Sequence, residues 1–588
     1  MKPTSKRPDP AFDAALALHR AGKLEQAAQA YRRILKLRPG HSGALNNLGI
    51  ACRKLGLFDE ARLCLERASV NDPQALSNLA SLENNLGRFR EAAVAAQRAT
   101  ELMPTLAAAH DNLGFALFRL NAIGQAHQAL SQAVALDPRS ANAWNNFGQV
   151  LQRQSRLGDA AQAYRKALEL DSSYDLAASN LLFCMHFDDV WTPEQIFEAH
   201  VQLGTRFERS VAGQGVKYLR MAVPHGQRPR VAFISADLCN HPVSMFLRPL
   251  IAHWPHHKME LGFYSSVKRP DESTSWFEER ADFWCDILSM TDEKAAQRIA
   301  QDGVDVLIDL SGHTGDSRIK VLAYRPAARQ MGWLGYFDTT GMQSVQYLLA
   351  DAVCVTPQME HLFTEKVLRM PDDFACFEPP AQAPAVSALP ALSNGFVTFG
   401  SQNQLAKVTN AVLDLWAQVL AQEPTSRLLF QAQAFNDDAV LQRYRAQFVE
   451  RGVDLSRIDF LPGASRMQIL QNYGRVDIAL DPFPCAGGTT TCESLWMGVP
   501  VVTLLGDRFG GRHSASHLSA VGLQGMVAQG ARQYLEIVRT LCADMQALSQ
   551  LRSGLRDQML RSALCDGPRF AYNFEQIISS IIASQAGT

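Results

Sequence analysis

One stretch of the sequence has the composition of a site for a phosphorylated ligand. It runs from Cys485 to Pro500 as CAGGTTTCESLWMGVP and follows the apolar segment VDIALD. Two glycines and then three threonines stand near its start: Gly487, Gly488, Thr489, Thr490 and Thr491. The glycines let a ligand approach the backbone, and a helix that begins at the threonines offers N–H groups, hydroxyls and a positive dipole end to a diphosphate. The alternative is a tight turn before a threonine-capped helix. The absence of Walker and GxGxxG patterns disfavours triphosphate hydrolysis and dinucleotide binding.

A second stretch, GFVTFGSQNQLAKVT (395–409), places Gln404 and Lys407 between a predicted strand and a predicted helix. A lysine at the carboxyl end of a strand can face the same cleft as the threonines. It would there neutralise the charge that builds on a departing diphosphate. A surface lysine close to a helix start is the alternative for this stretch taken alone.

Two further stretches place polar side chains directly after predicted strands. SADLCNHPVSMFLRPL has Asp237 and His241 after the first strand, and DLSGHTGDSR has His313 after another. Histidine is the side chain most easily set to accept a proton near neutral pH. A lone histidine is more often structural, but several polar residues at strand ends that face one cleft indicate a site.

These stretches lie in the part of the chain, from residue 230 onward, where short apolar runs alternate with helix-length segments. Eight runs are predicted strands: 231–236, 261–266, 304–312, 395–401, 427–432, 457–462, 476–481 and 500–505. Such alternation predicts parallel sheets with helices on both faces, here as two doubly wound lobes with a ligand cleft at the carboxyl ends of the strands. We assign residues 229–378 to the first lobe, 379–394 to an exposed Pro- and Ala-rich linker, and 395–580 to the second lobe.

The first part of the chain differs from the lobes because it repeats. Small or turn-forming residues recur every 34, 31, 34 and 34 positions: Gly22, Gly56, Gly87, Asn121 and Ser155. With prolines near the repeat ends, this period is typical of tetratricopeptide repeats, whose helical hairpins stack into a superhelix. The array is assigned to residues 8–185, and the loss of about three residues near Pro73 is expected to shorten a turn. A helical linker, 186–228, follows, with a helix that begins at Thr192 and carries His200.

Asparagines recur in the same register on the first helix of each repeat and define an asparagine row: Asn47, Asn78, Asn112, Asn146 and Asn180. An amide that both donates and accepts can pair with the backbone of an extended peptide whatever its sequence. The alternative is that each asparagine caps or bridges helices within the array. The row indicates a protein client rather than a metabolite.

Composition argues against several classes of function. The 588 residues are 47% hydrophobic and 20% charged, which is ordinary for a globular protein, and the formal net charge of -1 gives no electrostatic case for nucleic acid. Eleven cysteines without metal-ligand spacing favour a reducing cytoplasm over a disulfide framework. Because no apolar stretch approaches the length of a membrane span, neither secretion nor membrane insertion is expected.

Over nearly its whole length the chain resembles the O-GlcNAc transferase/SPINDLY family of repeat-containing protein O-glycosyltransferases. PALSNGFVTFGSQNQLAK, GTTTCESLWMGVPVVT and GPRFA look closest to the SPINDLY branch, and the chain looks like a bacterial homologue. The resemblance implies a GT-B fold of two Rossmann-like lobes after the repeat superhelix. It also implies an inverting, metal-independent transfer to Ser or Thr hydroxyls, with no cofactor besides the nucleotide-sugar donor. The protein acceptor would be held by the asparagine-lined superhelix.

The resemblance assigns donor-binding roles by position. Lys407 matches the family's essential lysine at the donor diphosphate, and Gln404 matches a neighbouring donor contact. Thr489 and Thr490 match phosphate-binding threonines, and Glu493 stands where the animal enzymes have a ribose-binding aspartate. Further residues expected on the donor side are Gly487, Gly488, Thr491 and His313.

The catalytic candidates come from the first lobe and the linker as well as from Lys407. Asp237 and His241 match the Asp-x-x-x-His of the family's first lobe. His200 matches a histidine once favoured as the catalytic base. Since the family does not settle which group takes the acceptor proton, all three stay candidates.

The chain departs from the family's pattern at several positions: Phe337, Asp338, Gln431, Gln433, Ile469 and Gly488. The first two replace a Pro-Gly or Pro-Asn pair, and the glutamines replace a basic residue. The isoleucine replaces a histidine near the nucleobase, and the glycine replaces a histidine of the animal enzymes. These changes put the identity of the donor in question but leave Lys407 and the threonines in place.

The leading hypothesis is an intracellular protein O-glycosyltransferase that uses UDP-GlcNAc, the family's usual donor, or GDP-fucose, as the SPINDLY-like segments suggest. A non-catalytic repeat scaffold with a degenerate transferase domain is the alternative, motivated by the departures. A transferase acting on lipid or polysaccharide is a third hypothesis, which the asparagine row disfavours. Protein acceptors and a nucleotide sugar are the expected partners, nucleic acid and membranes are not, and the oligomeric state stays open.

Overall fold

The structure, a computed structural model, describes residues 9–70, 72–213 and 227–583. The predicted first residue of the repeat array, residue 8, and residues 214–226 of the predicted linker lie outside the described residues. Two compact units make up the chain, Met1–Ala177 and Ala178–Thr588. Within the described residues, no helix combines the length and apolar character that crossing a membrane requires.

The first unit is built of helical hairpins, two helices to a repeat, as the 34-residue period predicts. Its helices are α1 (Pro10–Arg20), α2 (Leu24–Leu37), α3 (Ser42–Lys54), α4 (Phe58–Ala68), α5 (Pro73–Asn85), α6 (Phe89–Leu102), α7 (Ala107–Arg119), α8 (Ile123–Leu136), α9 (Ala141–Arg153) and α10 (Leu157–Leu170), and α11 (Asp175–Met185) spans the boundary with the second unit. The five residues that set the predicted register all lie between the two helices of a hairpin and have φ between 56° and 77°. A left-handed residue after a helix turns the chain back on itself, so the prediction of the hairpin turns is confirmed.

The repeat that lacks about three residues near Pro73 has lost them from the helix α4. The prediction of a shortened turn is therefore wrong. The helix α4 has 11 residues, whereas α2, α6, α8 and α10 have 14 each. Four residues separate α4 from α5, as they do α2 from α3. The Asp72 side chain caps α5 by accepting from the N–H groups of Gln74 and Ala75, and Pro73 fixes the first helical position. Because the cap holds the turn, the deletion falls on the last turn of α4.

The second unit contains two parallel sheets, which confirms the predicted pair of doubly wound lobes. The strands are β1 (Arg230–Ser235), β2 (Glu260–Ser265), β3 (Phe283–Asp286), β4 (Val306–Asp309), β5 (Arg329–Gly332), β6 (Tyr347–Asp351), β7 (Lys366–Met370), β8 (Thr398–Ser401), β9 (Arg427–Gln431), β10 (Ile458–Leu461), β11 (Ile478–Leu480), β12 (Val501–Leu504) and β13 (Val527–Ala528). The first sheet has the order β3-β2-β1-β4-β5-β6-β7 and the second has the order β10-β9-β8-β11-β12-β13. All eight predicted strands are present, and β3, β5, β6, β7 and β13 were not predicted.

The strand order changes direction between β1 and β4 in the first sheet and between β8 and β11 in the second. Ligands of doubly wound proteins bind outside the carboxyl ends of strands at such switch points. Every predicted polar stretch follows one of these four strands. The topology therefore gathers the candidate residues at the two switch points.

Helices cover both sheets. They are α12 (Pro193–Val211), α13 (Pro242–Ala252), α14 (Glu272–Glu278), α15 (Asp292–Gln301), α16 (Lys320–Ala323), α17 (Pro390–Asn394), α18 (Asn410–Gln422), α19 (Asp438–Glu450), α20 (Arg466–Asn472), α21 (Thr489–Trp496), α22 (His513–Val521), α23 (Ala531–Ala543), α24 (Met545–Leu560) and α25 (Gly567–Ala583). The linker between the lobes is exposed only in part, since Leu389, Pro390 and Ala391 are buried in or beside the core of the second lobe.

The helix α25 packs in the first lobe, although its position in the sequence placed it with the second. Phe570 and Phe574 lie in one buried cluster with residues of β1, β2 and β4. The Trp333 ring centroid is 5.3 Å from that of Phe574. Arg329 donates hydrogen bonds to the carbonyl oxygens of Ile581 and Ile582 near the end of α25. An assignment by continuity along the chain could not show that this apolar helix returns across the cleft.

Candidate active site

Two glycines with different surroundings precede α21. Gly487 donates its N–H to Asp481 Oδ1 at 2.9 Å, and a Cβ at this position would lie 2.5 to 2.8 Å from three side-chain oxygens. Gly488 is the N-cap residue and supplies no side-chain cap. A Cβ on Gly488 would meet only His513 Nδ1, at 3.9 Å. The backbone at Gly488 therefore borders open space, and the first amides of α21 remain donors for an anion.

The three threonine hydroxyls of α21 are not equivalent. Thr490 Oγ1 donates to Asn403 Oδ1 at 2.9 Å, and Thr491 Oγ1 is 2.7 Å from Ser514 Oγ. Both hydroxyls thus bond within the protein, and Thr491 is buried. Thr489 is half-buried and has no side-chain hydrogen bond within the described residues. The Thr489 hydroxyl and the backbone amides, rather than all three hydroxyls, are placed to meet a phosphate.

The structure brings Lys407 to the same loop. Its Nζ donates to the carbonyl oxygen of Ala486 at 2.5 Å, one residue before the two glycines. The Lys407 N–H also donates to the carbonyl oxygen of Gln404, which is exposed and begins a short turn of 3-10 helix. Burial raises the pKa of Asp481 beneath the loop, and the charge of Lys407 opposes that rise. A cation and uncapped helix amides therefore lie side by side.

Glu493 is buried in α21 and already has a cationic partner. Arg466 Nε, at the start of α20, donates to Glu493 Oε1 at 2.8 Å. Burial raises the pKa of Glu493, and Arg466 opposes that rise. Arg466 also lies 3.2 Å from the sulfur of Met245 in the first lobe. The carboxylate predicted to bind a ribose is thus part of an ion pair that contacts the other lobe.

Asp237 and His241 lie together after β1, as their spacing predicts. The distance from Asp237 Oδ1 to His241 Nδ1 is 3.7 Å, and the Asp237 N–H donates to Ser235 Oγ. Burial raises the pKa of Asp237, and His241 opposes that rise. His241 Nδ1 accepts from the Val243 N–H at the start of α13, which leaves the proton on Nε2. His241 is about half exposed, so this ring can meet a substrate.

His200 is buried and fully engaged inside the protein. Its Nδ1 donates to the carbonyl oxygen of Ile196 at 2.7 Å, so Nε2 accepts the hydroxyl proton of Tyr336, also at 2.7 Å. His186 Nε2 is 3.2 Å from the same Tyr336 oxygen. Burial lowers the pKa of His200 well below its ordinary value. Neither ring nitrogen faces a substrate, and the structure gives His200 no contact with Asp237 or His241.

His313 belongs to the same buried group rather than to the loop at α21. Its ring centroid is 5.3 Å from those of both His200 and Tyr336, and its Nε2 donates to the carbonyl oxygen of Thr340. Burial lowers the pKa of His313 to about 4. Asp309, at the end of β4, accepts from the N–H groups of the turn before His313, and burial raises its pKa to about 6.

Two of the departures from the family's pattern, Gln431 and Ile469, are hydrogen-bonded within the second lobe. Gln431 donates to the carbonyl oxygen of Pro462 and accepts from Asn472, so its amide is satisfied within the second lobe. The carbonyl oxygen of Ile469 accepts from Gln402. None of these contacts blocks the loop at α21.

Sequence reasoning missed several residues that shape the site: Asn403, Arg466, Ser514, His186 and Tyr336. Asn403 stands in the polar loop that contains Lys407, so its position after a strand was an available signal. The other four reach the site from segments distant in the sequence, and no local pattern marks them.

Within the first unit, the asparagine row forms a regular series of hydrogen bonds. Three members of the row donate their Nδ2 to the residue just before the matching asparagine of the previous repeat. The bonds are Asn78 to Asn46 Oδ1 at 2.8 Å, Asn112 to Ser77 O at 3.0 Å and Asn146 to Asp111 Oδ1 at 2.8 Å. The row therefore bridges neighbouring repeats, which is the alternative that the sequence left open. Asn47 accepts from its neighbour Asn46, and Asn180 lies in the second unit.

Comparison with protein families matches both parts of the chain. The profile of glycosyl transferase family 41 matches residues 192–378 and 385–574. Tetratricopeptide repeat profiles match residues 18–86 and 112–175.

Known proteins show the same similarity. The chain is 38% identical over 411 residues to a probable UDP-N-acetylglucosamine–peptide N-acetylglucosaminyltransferase SPINDLY of Solanum lycopersicum, which covers 69% of this chain and 44% of the relative. It is 24% identical to a UDP-N-acetylglucosamine–peptide N-acetylglucosaminyltransferase of Caenorhabditis elegans, over 62% of this chain and 41% of the relative. The chain thus spans less than half the length of these relatives. A solved O-GlcNAc transferase mutant of Thermobaculum terrenum is 31% identical, with a TM-score of 0.82 over 87% of this chain and 98% of that one.

Proposed function

Because the chain belongs to glycosyl transferase family 41, we propose that it is a protein O-glycosyltransferase that moves a sugar from a nucleoside diphosphate to a serine or threonine hydroxyl. The observation that carries this proposal is the contact of Lys407 with Ala486, beside the glycines that precede α21. A cation, a close-approach backbone and uncapped helix amides, brought together where two loops meet, suit two linked phosphates. The printed names of the relatives support the same activity.

In the proposed transfer, the acceptor hydroxyl attacks the anomeric carbon from the side opposite the diphosphate, so the configuration inverts. The bond between that carbon and the phosphate oxygen breaks, and Lys407 and the start of α21 stabilise the charge on the leaving diphosphate. These groups supply the positive charge that a divalent ion would otherwise bring, so we propose a metal-independent transfer step.

Of the two candidates Asp237 and His241, we propose that Asp237 receives the acceptor proton, because His241 Nδ1 accepts from Val243 and its Nε2–H is a donor that can hydrogen-bond to a substrate. Both follow a strand at the switch point of the first sheet, and His241 is half exposed. His200 is a positioning residue in this proposal, because both of its ring nitrogens bond inside the protein. It holds Tyr336, which lies in the loop after β5.

UDP-GlcNAc and GDP-fucose share the diphosphate that the loop at α21 is proposed to recognise, so this loop does not distinguish the two donors. A binding experiment can identify the donor. Thermal unfolding is measured with UDP, GDP, UDP-GlcNAc and GDP-fucose, because a ligand that binds only the folded state raises the melting temperature. Stabilisation by uridine ligands alone assigns GlcNAc transfer, and stabilisation by guanosine ligands alone assigns fucose transfer. The matched variants are Lys407→Met, which should lose the stabilisation, and Lys294→Met, which alters an exposed lysine on α15 and should keep it.

The scaffold alternative makes a different prediction for the same samples. A degenerate transferase domain would show no stabilisation with any of the four ligands at millimolar concentration, and it would leave a peptide acceptor unmodified. The proposed function is overturned if the unaltered chain gives both results.

We propose that the repeat array binds the protein acceptor. The asparagine row uses its amide nitrogens between repeats, but the Oδ1 atoms of Asn78 and Asn112 have no partner within the described residues and can accept from a peptide N–H. Asn112→Asp keeps this acceptor and removes the bridging donor, whereas Asn112→Ala removes both. If the row binds peptides, only the alanine variant should lose most of its affinity for acceptor; equal losses would assign the row to bridging alone.

A further inference from the structure

A second group of side chains, separate from the loop at α21, has the arrangement of a metal site. His186, His200 and Asp338 each offer one ligand atom, and these three atoms lie within 4.8 Å of one another. The Tyr336 hydroxyl lies among them, 2.7 Å from His200 Nε2 and 3.2 Å from His186 Nε2. All four side chains are nearly or completely buried.

Two of the distances between ligand atoms agree with a tetrahedron, and a third, 2.7 Å from the Tyr336 oxygen to His200 Nε2, is that of the hydrogen bond that the ion would replace. Metal–ligand bonds of about 2.0 to 2.1 Å, typical of zinc, give ligand–ligand separations of about 3.3 Å. His186 Nε2 is 3.5 Å from Asp338 Oδ2 and 3.2 Å from the Tyr336 oxygen. The Tyr336 oxygen therefore stands near the place of a fourth ligand.

The ligand atoms are held in position by other bonds. His200 donates its Nδ1–H to the carbonyl oxygen of Ile196, which leaves the Nε2 lone pair directed into the group. Metal-bound histidines are commonly oriented by such a bond from their second nitrogen. Asp338 Oδ1 accepts from the Thr339 N–H, and Asp338 Oδ2 has no hydrogen bond within the described residues.

The charge around the group also favours a cation. Asp338 and Glu365 are buried carboxylates close to one another, and Glu365 accepts from Thr339 and Thr340. The neighbouring cation, Arg508, bonds to Asp507 and to the carbonyl oxygen of Trp191. A divalent ion beside Asp338 would offset the remaining negative charge, which is costly to bury.

We propose that His186, His200 and Asp338 bind one divalent transition-metal ion of the zinc class, with the Tyr336 oxygen or a water as fourth ligand. His186 must carry its proton on Nδ1 for this role, and Nδ1 has no hydrogen-bond partner in the described structure that the change would displace. Tyr336 gives up its hydrogen bond to His200 when the ion binds.

The ion would have a structural role. His186 follows α11, His200 lies on α12 and Asp338 lies in the loop after β5, so the ion joins three segments of the second unit. The diphosphate loop contributes no ligand. The proposal therefore does not depend on the proposed transferase activity. Asp338 is one of this chain's departures from the family's pattern, so the third ligand is a feature of this sequence.

The test measures metal content directly. The full chain, without a polyhistidine tag, is stripped with a chelator, dialysed against Zn²⁺ and analysed by inductively coupled plasma mass spectrometry. We expect about one bound ion per chain, and at least about a tenfold loss of affinity in Asp338→Asn and His186→Gln. His257→Gln alters an exposed histidine outside the group and should bind as the unaltered chain does.

Cobalt provides a readout that needs no substitution. Co²⁺ in the unaltered chain should give the strong visible absorption of a tetrahedral site, and circular dichroism checks that each variant is folded. The proposal is refuted if the unaltered chain binds less than about 0.1 ion, far below the single ion of a structural site. It is equally refuted if folded Asp338→Asn binds zinc as tightly as the unaltered chain.

Discussion

Lys407→Met should separate catalysis from folding. Among the residues that the structure describes, the Lys407 ammonium hydrogen-bonds to the carbonyl oxygen of Ala486. The net value of such a bond is about 1 kcal/mol, so the variant should lose only about 1 to 2 kcal/mol of unfolding free energy. The same ammonium is the cation beside the proposed diphosphate site. Removal of one preorganised donor from a developing charge costs about 10²- to 10³-fold in rate.

The assay compares initial rates of sugar transfer to a peptide at saturating donor and acceptor, for the unaltered chain, Lys407→Met and Lys294→Met. Urea unfolding of the same samples supplies the stability change. A rate loss of about 10² or more with a small loss of stability supports the proposed role of the lysine. A folded Lys407→Met protein that retains more than about a third of the rate would refute it, because a group that stabilises the leaving diphosphate cannot be removed at so little cost.

Three further changes test the surroundings of the site. In Gly487→Ala the new Cβ would lie 2.5 Å from Thr491 Oγ1, so the variant should lose about 1 to 3 kcal/mol of unfolding free energy and should no longer bind nucleotide. Urea unfolding measures the first effect and calorimetric titration measures the second. Arg466→Met leaves the Glu493 carboxylate buried without its cationic partner and raises the pKa of Glu493. The variant should therefore lose about 1 to 3 kcal/mol of unfolding free energy, and the loss should be larger at pH 8 than at pH 5. An equal loss at both pH values would contradict the ion pair. Asp309 has its pKa raised by burial from 3.8 to about 6, so its contribution is greatest in acid and is lost as the pH rises through 6. A pKa difference of 1 corresponds to about 1.4 kcal/mol, so this rise corresponds to a loss of about 3 kcal/mol of unfolding free energy. In a series of unfolding measurements at different pH, Asp309→Asn should remove this fall in stability between about pH 4 and pH 6.

The sequence contained enough local information to predict the repeats and most of the strands. The hairpin turns of the first unit are marked by residues suited to φ > 0, and the eight predicted strands are short apolar runs between helix-length segments. The strands β5 and β7 were missed because Arg329, Gln330, Lys366 and Arg369 interrupt the apolar pattern. Arg329 bonds to the end of α25 and Arg369 bonds to the carbonyl oxygen of Val355, which only the folded chain reveals.

The part of the candidate site formed by the loops that directly follow strands was predictable from the sequence. Gly487, Gly488 and Lys407 were found because two loops after neighbouring strands must meet. His200 illustrates the limit, since its nitrogens are occupied by Ile196, four residues away, and by Tyr336, 136 residues away. No pattern around position 200 could show that the ring is enclosed, or that Arg466 already neutralises Glu493.

The packing of α25 in the first lobe has a consequence for folding during synthesis on the ribosome: the first lobe cannot be completed until the C-terminal helix has been made. The strands from β1 to β7 are synthesised before α25. Until Phe570 and Phe574 of α25 have been made, Phe233, Trp333 and their neighbours lack the side chains that cover them in the folded protein. The two phenylalanines of α25 follow β1 by more than 300 positions, so at about 5 to 20 residues per second the half-built lobe exposes an aromatic surface for about 15 to 70 seconds. During that interval the nascent first lobe is a target for chaperones and for aggregation. A chain interrupted before residue 567 would keep both sheets and the diphosphate loop yet never close this core.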